Sequence, residues 1–201
     1  MTNGQLHIIS TGKQQVEQLA EIIGMIHPYI DFVHLREKQK TAKEIYGMVK
    51  LLKDKKVPLS KIMINDRSDV AVVSMARGVH LAYHSLPPEK VKQHFPNLAV
   101  GVSVHSVEET KAADQWGADY MLFGHVYPTR SKPGLAPKGL GALRTVSKTA
   151  IVPVVAIGGI TPENAKQIME AGAAGIAVMS GVLEAEDPME AVRQYRAAIS
   201  G

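Results

Sequence analysis

Short apolar blocks alternate with amphipathic blocks along the whole chain of 201 residues. An uninterrupted apolar run, such as the one from Tyr120 to Phe123, is typical of a strand that is buried on both faces. Apolar residues three and four positions apart, such as Ile45, Met48 and Val49, predict helices between these strands. The pattern predicts eight strands, at residues 6–10, 31–36, 61–65, 78–81, 98–103, 120–123, 153–157 and 175–178.

Capping residues indicate where several of the helices begin. Thr41 with Glu44, and Ser106 with Glu109, have the spacing of a capping box. Thr161, directly before a proline, predicts the start of the seventh helix. Eight strand–helix units without a domain boundary predict a single (β/α)8 TIM barrel over residues 1–201, with a doubly wound open sheet as the alternative.

Composition and charge narrow the class of function. The absence of cysteine excludes disulfides, thiolate metal ligands and cysteine nucleophiles. A net charge of +4 permits nucleic-acid binding, but aromatic residues make up only 5% of the chain and no basic stripe is interleaved with them. No apolar run approaches the roughly 20 residues of a membrane span, and the N-terminus is unlike a signal peptide. We therefore expect a cytoplasmic protein that binds a small polyanion, without nucleic acid or membrane; whether it forms a homo-oligomer is left open.

The residues that follow the predicted strands are rich in groups that bind anions. In a (β/α)8 barrel the site forms at the carboxyl ends of the strands, which meet at one mouth. The candidates there are Arg36, Lys38, Asn65, Asp66, Ser103, His105, His125, Thr129, Ser131 and Lys132.

Two further loops predict a phosphate site. Gly158-Gly159 follows the seventh strand and Met179-Ser180-Gly181 follows the eighth. Barrels often bind phosphate between these loops through backbone N–H groups, which glycine lets approach closely. The alternative is that the two glycines only form a tight turn before Thr161.

Arg36, Lys38 and His125 each have a functional and a structural interpretation. Arg36 and Lys38, two positions apart, would clamp a second anionic group of the ligand, or else form a surface salt bridge with Glu37. His125 is a proton-transfer group next to anion-binding residues, or else a loop residue that only makes hydrogen bonds.

Six segments carry a family resemblance, in order and over nearly the whole chain: residues 35–38, 64–67, 78–81, 101–106, 123–132 and 157–160. They resemble segments of the thiamin phosphate synthases. That family is a (β/α)8 barrel that joins a hydroxymethylpyrimidine pyrophosphate to a thiazole phosphate, with magnesium. The resemblance implies phosphate binding at Gly159, Met179 and Ser180, and polar ligand contacts at Arg36, Lys38, Asn65, Ser103, Thr129, Ser131 and Lys132.

Two positions depart from the synthase pattern. Synthases carry a second aspartate, which helps to hold magnesium beside the one at Asp66, and here that position is Ser85. Synthases also have proline after the glycine of the sixth strand, and here that residue is His125. With these departures the chain is similar to the thiazole tautomerases of the same pathway, which are sisters of the synthases.

The sequence therefore leads us to expect a metal-independent isomerase without a cofactor. A thiazole tautomerase would aromatise the dihydrothiazole (ylidene) carboxylate phosphate to carboxythiazole phosphate, with His125 as the proton shuttle. The phosphate would bind at the Gly159 loop and the carboxylate at Arg36 or Ser103. The alternatives are a divergent thiamin phosphate synthase that uses Asp66 with a substitute ligand, and a non-catalytic regulator that binds thiazole phosphates.

Overall fold

The computed structural model describes residues 4–200 and shows eight parallel strands closed into a barrel. Each strand pairs with the next one along the chain, and the last pairs with the first. The predicted single-domain (β/α)8 barrel is therefore confirmed, and every predicted strand is present with its ends shifted by at most one residue. The strands are β1 (Gln5–Ile9), β2 (Phe32–Leu35), β3 (Ile62–Asn65), β4 (Gly78–Leu81), β5 (Ala99–Val104), β6 (Tyr120–Gly124), β7 (Val154–Ile157) and β8 (Gly175–Val178).

Helices surround the barrel, and one of them was not predicted. The short helix that begins at Ser180 occupies what the sequence indicated as a loop after the eighth strand.

No helix in residues 4–200 is long and apolar enough to cross a membrane. The helices are α1 (Val16–Ile26), α2 (Ala42–Asp54), α3 (Ser68–Val73), α4 (Pro88–His94), α5 (Val107–Gln115), α6 (Gly139–Thr149), α7 (Pro162–Glu170), α8 (Ser180–Leu183) and α9 (Pro188–Ile199).

The two predicted capping boxes differ in the structure. At α2 the box is complete, because Thr41 Oγ1 accepts from the Glu44 amide and the Glu44 carboxylate accepts from the Thr41 amide. At α5 only the first half forms, with Ser106 Oγ accepting from the Glu109 amide at 3.2 Å. The Glu109 carboxylate instead accepts from the amide of His105 at 2.6 Å. This exchange directs Glu109 toward the mouth of the barrel.

Alternate residues of each strand face the barrel interior and the helices. On β6, Met121 and Phe123 join the core between sheet and helices, whereas Tyr120 and Leu122 pack inside the barrel. Because both faces are buried, the strand reads as apolar without a break, and its period of two is hidden in the sequence.

Three histidines, His7, His34 and His80, lie buried inside the barrel. His7 Nδ1 is 2.9 Å from His34 Nε2, and His80 Nδ1 is 3.1 Å from the Tyr120 hydroxyl. Burial lowers the pKa of His7 to about 3 and that of His80 to about 4, and it holds the pKa of His34 well below its usual range. All three imidazoles are therefore neutral near pH 7.

We predict that these histidines make the fold sensitive to acid. Their pKa values are lower in the folded than in the unfolded chain, so as pH falls below about 6.5 only the unfolded chain takes up their protons. At about pH 5, His7 and His80 should each lower the free energy of unfolding by roughly 2 kcal/mol relative to neutral pH. Urea denaturation between about pH 5 and 7.5 measures this loss, and His7→Gln should make the pH dependence shallower. An unchanged slope would show that His7 does not take part.

Candidate active site

Hydrogen bonds donated by main-chain amides join neighbouring strand ends at the mouth of the barrel. The Arg36 amide, after β2, donates to Ser10 Oγ after β1 at 2.8 Å. The Asp66 amide, after β3, donates to the His80 carbonyl oxygen on β4 at 2.9 Å. Asp66 adopts φ 64, the left-handed conformation that aspartate tolerates better than most residues. These bonds fix the backbone from which the candidate side chains project.

The two basic residues after β2 are not engaged with Glu37. The Glu37 carboxylate is buried and pairs with Lys40 at 3.3 Å. Neither Arg36 nor Lys38 forms an ion pair within residues 4–200. Lys38 is exposed and Arg36 is half-buried, so both cations remain available to an anionic ligand.

Asp66 is surrounded by the loop that follows β4. Ser85 Oγ donates to Asp66 Oδ1 at 2.5 Å and accepts from the Ala82 amide at 2.8 Å. His84 Nε2 lies 3.4 Å from the same carboxylate oxygen. The second oxygen, Asp66 Oδ2, has no hydrogen-bond partner in the described part of the chain. The buried amide oxygen of Asn65, the preceding residue, also lacks a partner, which favours a ligand with a hydrogen-bond donor at this position.

Ser103 connects the barrel interior to the site. Its hydroxyl lies 2.9 Å from His80 Nε2. A cavity of about 430 Å³ lies beside the end of β5, and the candidate residues after β2, β3, β7 and β8 do not line it. The cavity is lined by Tyr83, Val102, Ser103, Val104, His105, Glu109 and Trp116.

His105 links the loops after β5 and β6. Its Nδ1 donates to the Glu109 carboxylate at 3.1 Å, so that Nε2 accepts from the Lys132 ammonium at 3.4 Å. The Lys132 amide donates to the Thr129 carbonyl oxygen, and the Ser131 amide donates to Thr129 Oγ1. Thr129, Ser131 and Lys132 thus form one turn, which Lys132 ties to the mouth.

His125 is packed into the structure rather than projecting from it. The residue is 5% exposed, and its Nε2 lies 3.2 Å from the Leu135 carbonyl oxygen. A carbonyl oxygen only accepts, so Nε2 carries a proton and donates this hydrogen bond. The Lys138 amide donates to the carbonyl oxygen of His125 at 2.8 Å. His125 therefore holds both ends of the segment from Leu135 to Lys138 against β6.

The glycine pair after β7 forms a turn and also allows the loop after β6 to pack closely against it. Gly158 and Gly159 have φ 100 and φ 67. A β-carbon on Gly158 would overlap His125, and one on Gly159 would overlap the carbonyl oxygen of Pro128. The glycines thus let the loop after β6 lie directly on the loop after β7.

Free N–H groups remain in these loops for an anion. Within residues 4–200 the amides of Gly159, Ile160, Ser180 and Gly181 donate no hydrogen bond. The strands that precede them, β7 and β8, are neighbours in the barrel. Ser180 is exposed, whereas the Met179 side chain packs against the interior cluster. Phosphate binding at Met179 would therefore use its backbone.

Comparison with known proteins gives the family. Residues 6–182 match the family described as thiamine monophosphate synthase. The chain belongs to the thiamine monophosphate synthase family. A thiamine-phosphate synthase of Chlorobium luteolum is 39% identical over 177 residues, covering 85% of this chain and 82% of that protein. One from Pyrococcus furiosus is 38% identical over 165 residues, covering 82% and 80%.

A solved structure agrees with the family. The thiamine phosphate pyrophosphorylase of Pyrococcus furiosus superposes with a TM-score of 0.83 at 33% identity, covering 97% of this chain and 95% of that one. A 3-hexulose-6-phosphate synthase superposes with a TM-score of 0.75 but at 19% identity, which shows the fold alone.

The prediction that the chain is a thiazole tautomerase is wrong. The relatives at 38–39% identity are named thiamine-phosphate synthases, and the solved structure at 33% identity is a thiamine phosphate pyrophosphorylase. The error came from giving Ser85 and His125 more weight than the similarity that extends over the rest of the chain. The resemblance to the synthase family itself is confirmed.

Sequence reasoning also missed contributors to the site. His80 was not among the candidates, yet its side chain reaches Ser103 and its carbonyl oxygen accepts from the Asp66 amide. Glu109 was predicted only as a capping residue, yet it orients His105. No alternation along β4 could have indicated this role, because the strand is buried on both faces. The available signal was one histidine in an otherwise apolar strand.

We predict that Gly159→Ala will weaken phosphate binding by about tenfold or more. The added methyl group must displace Pro128 and strain a left-handed backbone, so the free amides after β7 move. Titration with inorganic phosphate, followed by calorimetry, measures the change. Gly141→Ala is the matched control, because a β-carbon there meets nothing within 4 Å and alanine favours the helix. Equal affinity in both variants would remove the Gly159 loop from the phosphate site.

Proposed function

We propose that this chain is a thiamine-phosphate synthase, a transferase that joins a pyrophosphate-activated hydroxymethylpyrimidine to a thiazole phosphate. The observation that carries the proposal is the presence of Asp66, with a free carboxylate oxygen, at the same barrel mouth as two loops with free N–H groups. The names of the relatives support the proposal, since the relatives match over four-fifths of this chain or more.

A magnesium ion fits the residues around Asp66 when substrate completes its ligands. No group of three or more His, Asp or Glu side chains in residues 4–200 could enclose a metal without other ligands. Magnesium, however, is commonly held by one or two carboxylates together with substrate phosphates and water. Asp66 supplies one carboxylate, and Ser85 lies at the position of the family's second one. When bound, the ion would neutralise charge on the departing pyrophosphate.

The remaining candidates suit the two substrates. The free amides at Gly159 and Ser180 would bind the thiazole phosphate, as backbone N–H groups bind anions elsewhere. Asn65, with its unpaired amide oxygen, would accept a hydrogen bond from an aminopyrimidine. The cations and hydroxyl groups that would hold the pyrophosphate are Arg36, Lys38, Ser103, Thr129, Ser131 and Lys132.

Positioning and charge stabilisation suffice for this transfer. The bond between the pyrimidine methylene carbon and the pyrophosphate oxygen breaks, and pyrophosphate leaves with the electron pair. The thiazole nitrogen donates its lone pair to the same carbon, which forms the new C–N bond. No proton has to be removed at the reacting atoms, so the groups that hold pyrophosphate supply the catalysis.

His125 has a structural part in this proposal. Its Nε2–H donates to Leu135, and its backbone accepts from Lys138, so it shapes the loop that carries Lys132. The proton-transfer role that the sequence suggested for His125 stays a prediction, and the transfer reaction does not need it.

We predict that Asp66→Asn will lower the transferase rate by roughly a hundredfold or more, because the variant loses the carboxylate that holds magnesium. The measurement is formation of thiamine phosphate from both substrates with magnesium. Asp69→Asn is the matched control, since Asp69 is an exposed carboxylate on α3 that pairs with Arg67. If wild-type protein forms no thiamine phosphate from both substrates, the proposal fails.

We also predict that Ser85→Asp will lower the magnesium concentration for half-maximal rate by about tenfold, because a second carboxylate joins Asp66. A magnesium titration of the initial rate provides the measurement. An unchanged or higher requirement would show that residue 85 does not face the ion.

A further inference from the structure

Three residues on adjacent strands form one row across the barrel wall. His80 on β4 is in register with Gly101 on β5, and Gly101 is in register with Tyr120 on β6. A β-carbon on Gly101 would overlap the ring of Tyr120. The missing side chain therefore makes room for Tyr120 to cross β5 and bring its hydroxyl to 3.1 Å from His80 Nδ1.

A hydrogen-bonded chain runs from this row to the mouth. His80 Nε2 lies 2.9 Å from the hydroxyl of Ser103, which is on β5 two residues beyond Gly101. Tyr120 is 9% exposed and His80 is 2% exposed, so water does not compete strongly with these bonds.

The chain can have two directions, and they present Ser103 differently. In one, the Tyr120 hydroxyl donates to His80 Nδ1 and His80 Nε2–H donates to Ser103, which leaves the Ser103 proton free. In the other, Ser103 donates to His80 and presents only lone pairs to the mouth. An anionic ligand accepts hydrogen bonds, so it selects the first direction.

We propose that Tyr120 and His80 are positioning residues that hold the Ser103 hydroxyl as a hydrogen-bond donor to the pyrophosphate group. The inference rests on the proposed function, which places pyrophosphate at this mouth. Neither residue touches the ligand, and both act through Ser103.

The environment keeps both groups in the required neutral form. Burial lowers the pKa of His80 to about 4 and raises the pKa of Tyr120 well above its usual range. The side chains that pack against His80 or share a hydrogen bond with it are those of His34, Tyr120 and Ser103.

A double-mutant cycle tests the proposal through ligand binding. Tyr120→Phe removes only the hydroxyl and keeps the ring over Gly101. Affinity for inorganic pyrophosphate with magnesium is measured by calorimetry for wild type, Tyr120→Phe, Ser103→Ala and the double variant. Tyr120→Phe should weaken binding by roughly three- to tenfold in the wild-type background, and by less than about twofold when Ser103 is already alanine. Tyr29→Phe, which removes a hydroxyl outside the barrel that accepts from Arg193, is the control and should bind as wild type does.

Several results would overturn the proposal. Equal losses in both backgrounds would mean that Tyr120 acts through general packing. No loss in Tyr120→Phe, or none in Ser103→Ala, would remove the donor role. Nitrogen-15 NMR of the histidine rings gives a second readout: with pyrophosphate bound, His80 should carry its proton on Nε2 in wild type. A protein that shows this coupling but forms no thiamine phosphate would refute the proposed function and leave the positioning role intact.

Discussion

Closure of the parallel sheet into a barrel determines which side chains pack against the helices and which are confined to the interior. Because successive residues of a strand point to opposite sides, each strand gives one set of side chains to the helices and the other to a confined interior. The helix-facing set is apolar, as Met121 and Phe123 illustrate. The interior set includes three histidines and a tyrosine, which hydrogen-bond to one another or to neighbouring polar side chains, although His34 Nδ1 has no partner among the described residues. The bonds from Tyr120 through His80 to Ser103 lead toward the mouth, so this part of the interior is connected to the site.

The same closure explains which features the sequence could predict. All eight strands were predictable from apolar runs and turn residues, and the Thr41 capping box from its spacing alone. The direction of each side chain was not, because a strand buried on both faces shows no alternation. Glu109 also shows a limit of spacing rules, since its carboxylate accepts from the amide of His105 rather than from that of the capping residue Ser106.

In the candidate site, too, the sequence predicted where residues lie but not how their atoms are arranged. The sequence placed Arg36, Ser103 and Lys132 at one mouth of the barrel, because residues that follow parallel strands all lie at the same end of the sheet. It could not tell how Gly158 and Gly159 are used, since a close backbone approach and an anion loop both require glycine. Nor could two substituted positions outweigh similarity along the rest of the chain, which is why the isomerase assignment failed.

Gly101 restricts which amino-acid substitutions this barrel can accept during evolution. Residues 80, 101 and 120 share one space, so a larger residue at 101 has to be accompanied by a smaller one at 120. Such an exchange would conserve packing volume but would remove the Tyr120 hydroxyl that hydrogen-bonds to His80. Relatives that have made it should keep the barrel while presenting a serine hydroxyl that is free to rotate, and the three positions should vary together as one unit.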